Sequence, residues 1–280
     1  MYPGSRCAVG IFGGKKMVPS LSVAIQGFSL FLSVAAPIGL MIYFKKRKNA
    51  DFLPFFIGLA VFILFALVLE GILHSFVMAS PLGETIMSTP ILFALYGALA
   101  AAAFEETGRF VAMKFCLKKS HGNQANALMY GAGHGGFEML YILGLGMLNN
   151  FLYSILINTG EIDMMLATLP PETAAEMKVQ VVDVLVSASP STFLISPLER
   201  IVALILQISL SVLVWQAATN KNKGVFFAIA FVCHFAVDFI ASLLNSFGLN
   251  LFILELIILV LTLPIALYAT KVYRKAAEVK

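Results

Sequence analysis

The chain has 280 residues, of which 60% are hydrophobic and only 12% are charged, and its formal net charge is +4. An ordinary soluble domain carries about 25% charged residues, so a water-soluble globule is excluded. The apolar residues form runs of more than about 18 residues with short polar joints between them, an arrangement typical of a polytopic helical membrane protein. Three cysteines are too few and too scattered for a disulfide framework.

Seven apolar runs follow one another along the chain. Each is long enough for the ~20 residues that a helix needs to cross the hydrocarbon core of a bilayer. Residues 1–16 are short, basic and glycine-rich, and we interpret them as an N-terminal extension, which leaves residues 17–280 as a single integral membrane domain. We therefore expect an all-α transmembrane helix bundle, with its first to seventh spans near 20–44, 52–78, 90–117, 124–148, 197–219, 224–244 and 250–270.

Basic joints alternate with non-basic ones along the chain. Thirteen of the 19 Lys and Arg residues lie in the joints at 45–48, 114–119 and 221–223 and in the tail at 271–280. Because cytoplasmic loops carry the excess of Lys and Arg, we expect the C-terminal tail in the cytoplasm. With seven spans, the N-terminus is then expected outside.

The segment 149–196 is the one sizeable piece outside the predicted spans. It is expected to lie on the outer side and to contain an amphipathic helix, either packed on the bundle as a loop helix or serving as a lid. The residues expected on the apolar face of that helix are Ala174, Met177, Val181, Val182 and Leu185.

Ionisable side chains inside the bilayer are costly, so each of them needs a partner or a function. Seven of the 15 acidic residues fall within predicted spans. We interpret Glu199 and Arg200, at the start of the fifth span, as an interfacial ion pair, and Gln207 and Glu255 as hydrogen-bonding contacts between helices. The other ionisable residues in the spans are Glu70, His74, Glu105, Glu106, Arg109, His134, Glu138, His234 and Asp238.

Three non-adjacent spans bring ionisable residues to one level of the membrane. His134 and His234 each lie 11 residues from the basic end of their span, which places both imidazoles about 16 Å into the bilayer. Glu105 reaches about 20 Å by the same helical rise. The spacing i,i+4 also puts three pairs on common helix faces, namely Glu105 with Arg109, His134 with Glu138, and His234 with Asp238.

Two imidazoles and a carboxylate at one level suit a divalent metal with room for a water, and His/His/Glu is a ligand set used by catalytic zinc. The predicted metal ligands are His134, His234 and Glu105, with Glu138 as a possible fourth. A metal-free site is also open, because a carboxylate beside an imidazole can act as general base toward water. Glu106 is expected to face away from Glu105, since neighbours on a helix differ by about 100°.

These residues resemble three motifs of the CPBP (Abi) intramembrane proteases, which include the type II CAAX prenyl endopeptidases, and they are most similar to the YhfC-like branch. The family carries a paired glutamate with an arginine one turn later, an aromatic-x-x-x-His, and a His-x-x-x-Asn or Asp, on three separate helices. The corresponding residues here are Glu105, Glu106 and Arg109, then Tyr130 and His134, then His234 and Asp238.

The resemblance implies an intramembrane protease of glutamate or metallo type. It implies that Glu105 and His134 activate water, while His234 and Asp238 orient that water or stabilise the oxyanion. Glu106 and Arg109 either take part in the chemistry or form an ion pair that supports it. The chain departs from the prenyl endopeptidase pattern by having two residues, not three, between Glu106 and Arg109, so a prenylated substrate is not carried over.

The expected partners are membrane lipids and a membrane-associated peptide or protein substrate, without nucleic acid, in a prokaryotic plasma membrane. Two other functions remain open from the sequence. Buried carboxylates and histidines also serve proton-coupled transporters, although no inverted repeat is evident. A non-catalytic immunity or binding protein on the same scaffold is the third possibility.

Overall fold

The computed structural model describes residues 17–220 and 223–278, so the predicted extension at 1–16 lies outside the described residues. Within those ranges the chain forms helices joined by turns, and no strand occurs. All seven predicted spans are confirmed as long apolar helices, and the orientation of the termini stays a prediction. The seven span helices are Ser20–Lys48, Leu53–Met78, Pro90–Cys116, Ala125–Thr159, Thr192–Thr219, Val225–Ser246 and Leu251–Glu278.

The fourth span is longer than the sequence predicts. We placed its end at residue 148, before Asn149 and Asn150, but the helix continues to Thr159. Two asparagines lower helix propensity without breaking a helix. The helix ends where Gly160 takes a left-handed conformation with φ of 88°, which glycine adopts without steric cost. The predicted external segment 149–196 therefore begins as a continuation of the fourth span.

Shorter helices fill the longer connections. Pro81–Ser88 lies between the second and third spans, and Ile162–Ala167 follows the fourth. The predicted amphipathic helix is present and is helical from Pro171 to Ser187, with one stretch of wider π-type winding. Val182 and Leu185 on its apolar face are buried in a cluster of side chains that also includes residues of the fourth span.

The fourth span lies at the centre of the bundle. It packs against the first, second and fifth spans, while the third packs against the sixth and the fifth against the seventh. The largest apolar cluster surrounds Trp215 and Leu213 of the fifth span, both fully buried. Much of the outer surface is also apolar, as expected for helices that face lipid.

A glycine-rich stretch, Gly131–Gly136, allows this central packing. A Cβ atom added at Gly133 would lie 1.9 Å from the carbonyl oxygen of Phe55 in the second span, and one at Gly131 would lie 2.6 Å from Cα of Ile208 in the fifth. Only glycine leaves room for backbones to approach this closely. The second and fifth spans therefore come close to the fourth span at this stretch.

Candidate functional site

The third span carries a buried charge cluster within one helical turn. Arg109 Nη2 lies 3.3 Å from Glu105 Oε2 and 3.6 Å from Glu106 Oε1. The arginine and Glu106 are fully buried, and Glu105 is 7% exposed. The spacings i,i+4 and i,i+3 place both carboxylates beside one guanidinium, which supplies the counter-charge that a carboxylate needs away from water.

His134 of the fourth span contacts Glu105. Its Nε2 lies 2.9 Å from Glu105 Oε2 and 3.1 Å from Arg109 Nη2. Depending on its tautomer, this nitrogen donates to the carboxylate or accepts from the guanidinium. The ring stacks on Tyr130, with centroids 6.0 Å apart, and meets the edge of Phe62 at 5.3 Å. The imidazole is thus fixed on both faces beside Glu105.

His234 of the sixth span contacts Glu106 rather than Glu105. Its Nδ1 lies 2.7 Å from Glu106 Oε1, and its Nε2 lies 3.3 Å from Asp238 Oδ2. The adjacent glutamates do point to different neighbours, as predicted. Glu106 remains part of the charge cluster, because the sixth span packs on the third at its side and brings in the second histidine.

Gln207 of the fifth span joins the parts of the site. Its Nε2 carries two hydrogens and donates to Glu105 Oε2 over 3.2 Å and to Glu138 Oε2 over 2.7 Å. Its Oε1 accepts a bond of 2.5 Å from Arg109 Nη2. Gln207 lies against Gly135, where an added Cβ would come within 2.7 Å of its own Cβ. The missing side chain at Gly135 therefore lets this amide reach the carboxylates.

Arg200 lies two helical turns before Gln207 on the same face of the fifth span. Its Nη1 donates to Glu138 Oε1 over 2.8 Å, and its Nε donates to Glu199 Oε2 over 2.6 Å. The predicted ion pair of Glu199 and Arg200 is present, and the guanidinium also reaches the fourth span. Glu138 correspondingly bonds Arg200 and Gln207, and no bond between Glu138 and His134 is found in the described structure.

The sequence interpretation missed Gln207 and Arg200 as parts of the site. One available signal was their separation of seven residues, which places both on one helix face. A second signal was the run of glycines in the fourth span, which marks where another helix can come close.

A cavity of about 480 Å³ opens beside these groups. It is bounded by the third to seventh spans, and its walls are more apolar than polar. Glu105, His234 and Asp238 are among its lining residues, while His134 is fully buried behind Glu105. Glu105 is thus the carboxylate that joins the buried charge cluster to the cavity.

The side chains do not fit a metal as they are arranged. Across residues 17–220 and 223–278, no group of three His, Cys, Asp or Glu side chains is placed to hold a metal ion. Glu105 Oε2, His134 Nε2 and Gln207 Oε1 instead surround Arg109 Nη2, at 3.3, 3.1 and 2.5 Å. A second cation beside this guanidinium would be repelled.

Comparison with known proteins places this geometry in context. The family described as YhfC intramembrane metalloprotease matches residues 32–259. The chain is also 33% identical over 207 residues to the uncharacterized membrane protein YhfC of Bacillus subtilis (strain 168), covering 74% of this chain and 79% of that protein. No solved structure matches.

Proposed function

We propose that this chain, which belongs to the YhfC intramembrane metalloprotease family, is an endopeptidase that hydrolyses a membrane-associated peptide or protein. It is an integral membrane protein with seven apolar spans. The observation that carries the proposal is the position of Glu105, which contacts a buried imidazole and guanidinium and also lines the cavity.

In the proposed reaction, Glu105 is the general base. It takes a proton from a water molecule in the cavity while the water oxygen attacks the carbonyl carbon of the scissile bond. The same proton then passes to the leaving amine as the carbon–nitrogen bond breaks. A carboxylate can take the proton from water and return it to the amine only if it is held beside the cavity in one orientation. Here the hydrogen bonds that Arg109 and Gln207 donate to Glu105 limit the rotation of its carboxylate.

His134 and His234 take different parts in this proposal. His134 holds Glu105 from the buried side through Nε2. His234 lines the cavity, and the long 3.3 Å contact of its Nε2 with Asp238 leaves that N–H able to donate to an oxyanion instead. Glu106 accepts from Nδ1 of His234 and so fixes the orientation of the ring.

The family description implies a metal ion, but the predicted zinc ligands His134, His234 and Glu105 are not arranged to hold one. Because Arg109 stands among these groups, no step above passes through a metal.

The test is cleavage of a single-span reporter peptide by the purified full chain in lipid vesicles. Wild type should cleave, and Glu105→Gln, which keeps the shape of the side chain, should lower cleavage by at least about 100-fold, the range for loss of a general base. Glu84→Gln is the matched control because Glu84 is exposed on the short helix Pro81–Ser88, and it should cleave like wild type.

Equal cleavage by wild type and Glu105→Gln would contradict the proposal. Flux driven by a pH gradient, dependent on Glu105 and without cleavage, would instead indicate a proton-coupled transporter. Absence of both activities across reporters would favour the non-catalytic binding protein.

A further inference from the structure

The seventh span belongs to none of the three motifs, yet it forms one wall of the cavity. Leu251, Leu254, Glu255, Ile258 and Thr262 all line the cavity. Their spacing of three or four residues places them on one face of the helix. His234 and Asp238 of the sixth span line the same cavity. A substrate in the cavity therefore has the seventh span as its second contact surface.

Glu255 differs from the other carboxylates that line the cavity. The lining residue Glu105 contacts Arg109, Glu138 and Glu199 both contact Arg200, and Asp238 contacts His234. Glu255 Oε2 is a buried atom without a hydrogen-bond partner in the described structure, and Arg200 acts on this carboxylate through its charge without bonding it. A carboxylate oxygen buried without a hydrogen bond is costly, and a cationic ligand that donates to the carboxylate would reduce that cost.

Thr262 supplies a second, independent observation. It is 1% exposed, it lines the cavity, and its Oγ1 finds no hydrogen-bond partner among the described residues. A hydroxyl in a helix ordinarily donates to the carbonyl four residues before it, as Ser211 and Thr219 do in the fifth span. The hydroxyl of Thr262 does not make this bond and so has no partner in the described structure.

The two groups lie at different depths. Seven residues of helix separate them along the axis by about 10 Å. Thr262 is 11 residues from Leu251 at the start of the seventh span, and His234 is 12 residues from Ser246 at the end of the sixth, so the two lie at a similar level. Glu255 lies one turn from Leu251, at the end of the cavity that we call its mouth. An extended peptide rises about 3.3 Å per residue, so about three residues span this separation.

We infer that Glu255 and Thr262 form a substrate subsite, in which Thr262 bonds the peptide backbone near the scissile bond and Glu255 binds a Lys or Arg side chain about three residues away. This inference rests on the proposed peptidase function. Leu254 and Ile258, which flank Glu255 on the cavity wall, match the alkyl stem of such a side chain. The carboxylates of Glu138, Glu199 and Glu255 outnumber the single guanidinium of Arg200 in the cavity lining, and this excess of negative charge also favours a cationic group.

The first experiment uses reporter peptides that carry one Lys at each of six successive positions from the cleaved bond toward the mouth, with Gln at the same positions as reference. Wild type should prefer the Lys reporter by about tenfold at the third position, the effect expected of a charge-assisted hydrogen bond. Glu255→Gln should abolish this preference, and Glu255→Lys should transfer it to a Glu reporter. Thr262→Val should lower kcat/KM for all reporters alike.

Binding is measured separately on the Glu105→Gln protein, by fluorescence anisotropy of the labelled Lys reporter in lipid nanodiscs. Addition of Glu255→Gln should weaken binding about tenfold, whereas addition of Glu84→Gln should leave it unchanged. Thermal unfolding of each variant controls for folding.

The outcomes separate the two proposals. Equal cleavage of Lys and Gln reporters by wild type and by Glu255→Gln overturns the subsite and leaves the peptidase standing. Binding that depends on Glu255 without any cleavage supports the subsite and overturns the peptidase. If no reporter is bound and none is cleaved, both proposals are overturned.

Discussion

Gln207 shows how a single neutral side chain can organise charged ones. Its amide contacts Glu105, Glu138 and Arg109 at once, and it is 3% exposed. A glutamine has two donors and an acceptor in one rigid plane, so it fits between an arginine and two carboxylates without adding charge. We regard it as a positioning residue, since its amide bonds Glu105, the proposed general base.

We predict that Gln207→Leu lowers kcat for reporter cleavage by about 100-fold, because small misplacement of a catalytic group can cost that much. The value of KM should change little, because Glu255 and Thr262 are untouched. The measurement is steady-state cleavage in vesicles, with thermal unfolding of the same samples.

Gln26→Leu provides the matched control for that prediction. Gln26 is a buried glutamine of the first span, which accepts a hydrogen bond from Ser154 far from the cavity. Its replacement should affect unfolding but not kcat. A Gln207→Leu protein with wild-type kcat would show that Glu105 does not depend on this amide.

At the scale of the helices, the fourth span is the element that the others approach most closely. Tyr130 and His134 face the second span at Gly58, where an added Cβ would lie 2.3 Å from the carbonyl oxygen of Tyr130. Together with the contacts at Gly131 and Gly133, this packing sets the distance between His134 and the third span. The catalytic geometry therefore depends on backbone-to-backbone contact as well as on the side chains of the site.

We predict that Gly133→Ala lowers the free energy of unfolding by about 1–3 kcal/mol, the usual cost of overpacking. The new methyl group would meet the carbonyl oxygen of Phe55 at 1.9 Å, so the second and fourth spans would have to separate. Thermal or denaturant unfolding in detergent measures the effect, and reporter cleavage should fall in parallel.

Gly146→Ala tests the same substitution in the same span at a site where nothing lies within 4 Å of the added Cβ. Alanine is the better helix former, so stability should stay equal or rise slightly. Equal unfolding of the two variants would contradict the packing argument.

The helices could be predicted from the sequence more fully than their contacts. Hydropathy gave all seven spans, because about 20 apolar residues are what a bilayer requires of a helix. The spacing i,i+4 placed three pairs on common helix faces, and in two of them the side chains meet, Arg109 with Glu105 and His234 with Asp238. His134 and Glu138 do not bond each other in the described structure, because a shared face does not decide which neighbouring helix offers the better partner. Arg200 and Gln207 attract Glu138 instead.

At the scale of the whole molecule, the site exists only where several spans meet. Its groups come from the third, fourth, fifth and sixth spans, with the seventh as a wall of the cavity. Depth along each helix could be estimated from the sequence, because helical rise is constant. Rotation of one helix against another could not, and this rotation determines that His234 bonds Glu106 while His134 bonds Glu105.

The arrangement around Arg109 leads to a prediction about metal removal. Treatment with 1,10-phenanthroline should leave reporter cleavage at the level found with the non-chelating 1,7-isomer, because a guanidinium supplies the positive charge beside Glu105 and His134. Elemental analysis of the purified protein should then show no stoichiometric metal. Loss of cleavage with 1,10-phenanthroline that zinc restores would contradict this. It would show that His134, His234 and Glu105 rearrange into the predicted ligand set.

The charge cluster of the third span has a consequence for biogenesis. This span has the lowest mean hydropathy of the seven, 1.2 against 2.7 for the second, and a lone charged residue at the centre of an inserting helix costs about 2.5–3.5 kcal/mol. Arg109 offsets one of the two negative charges of Glu105 and Glu106 within a single turn, so the segment brings its own counter-ion to the insertion machinery. By the time the ribosome delivers the sixth span with His234, the carboxylate that will receive it is already inside the bilayer.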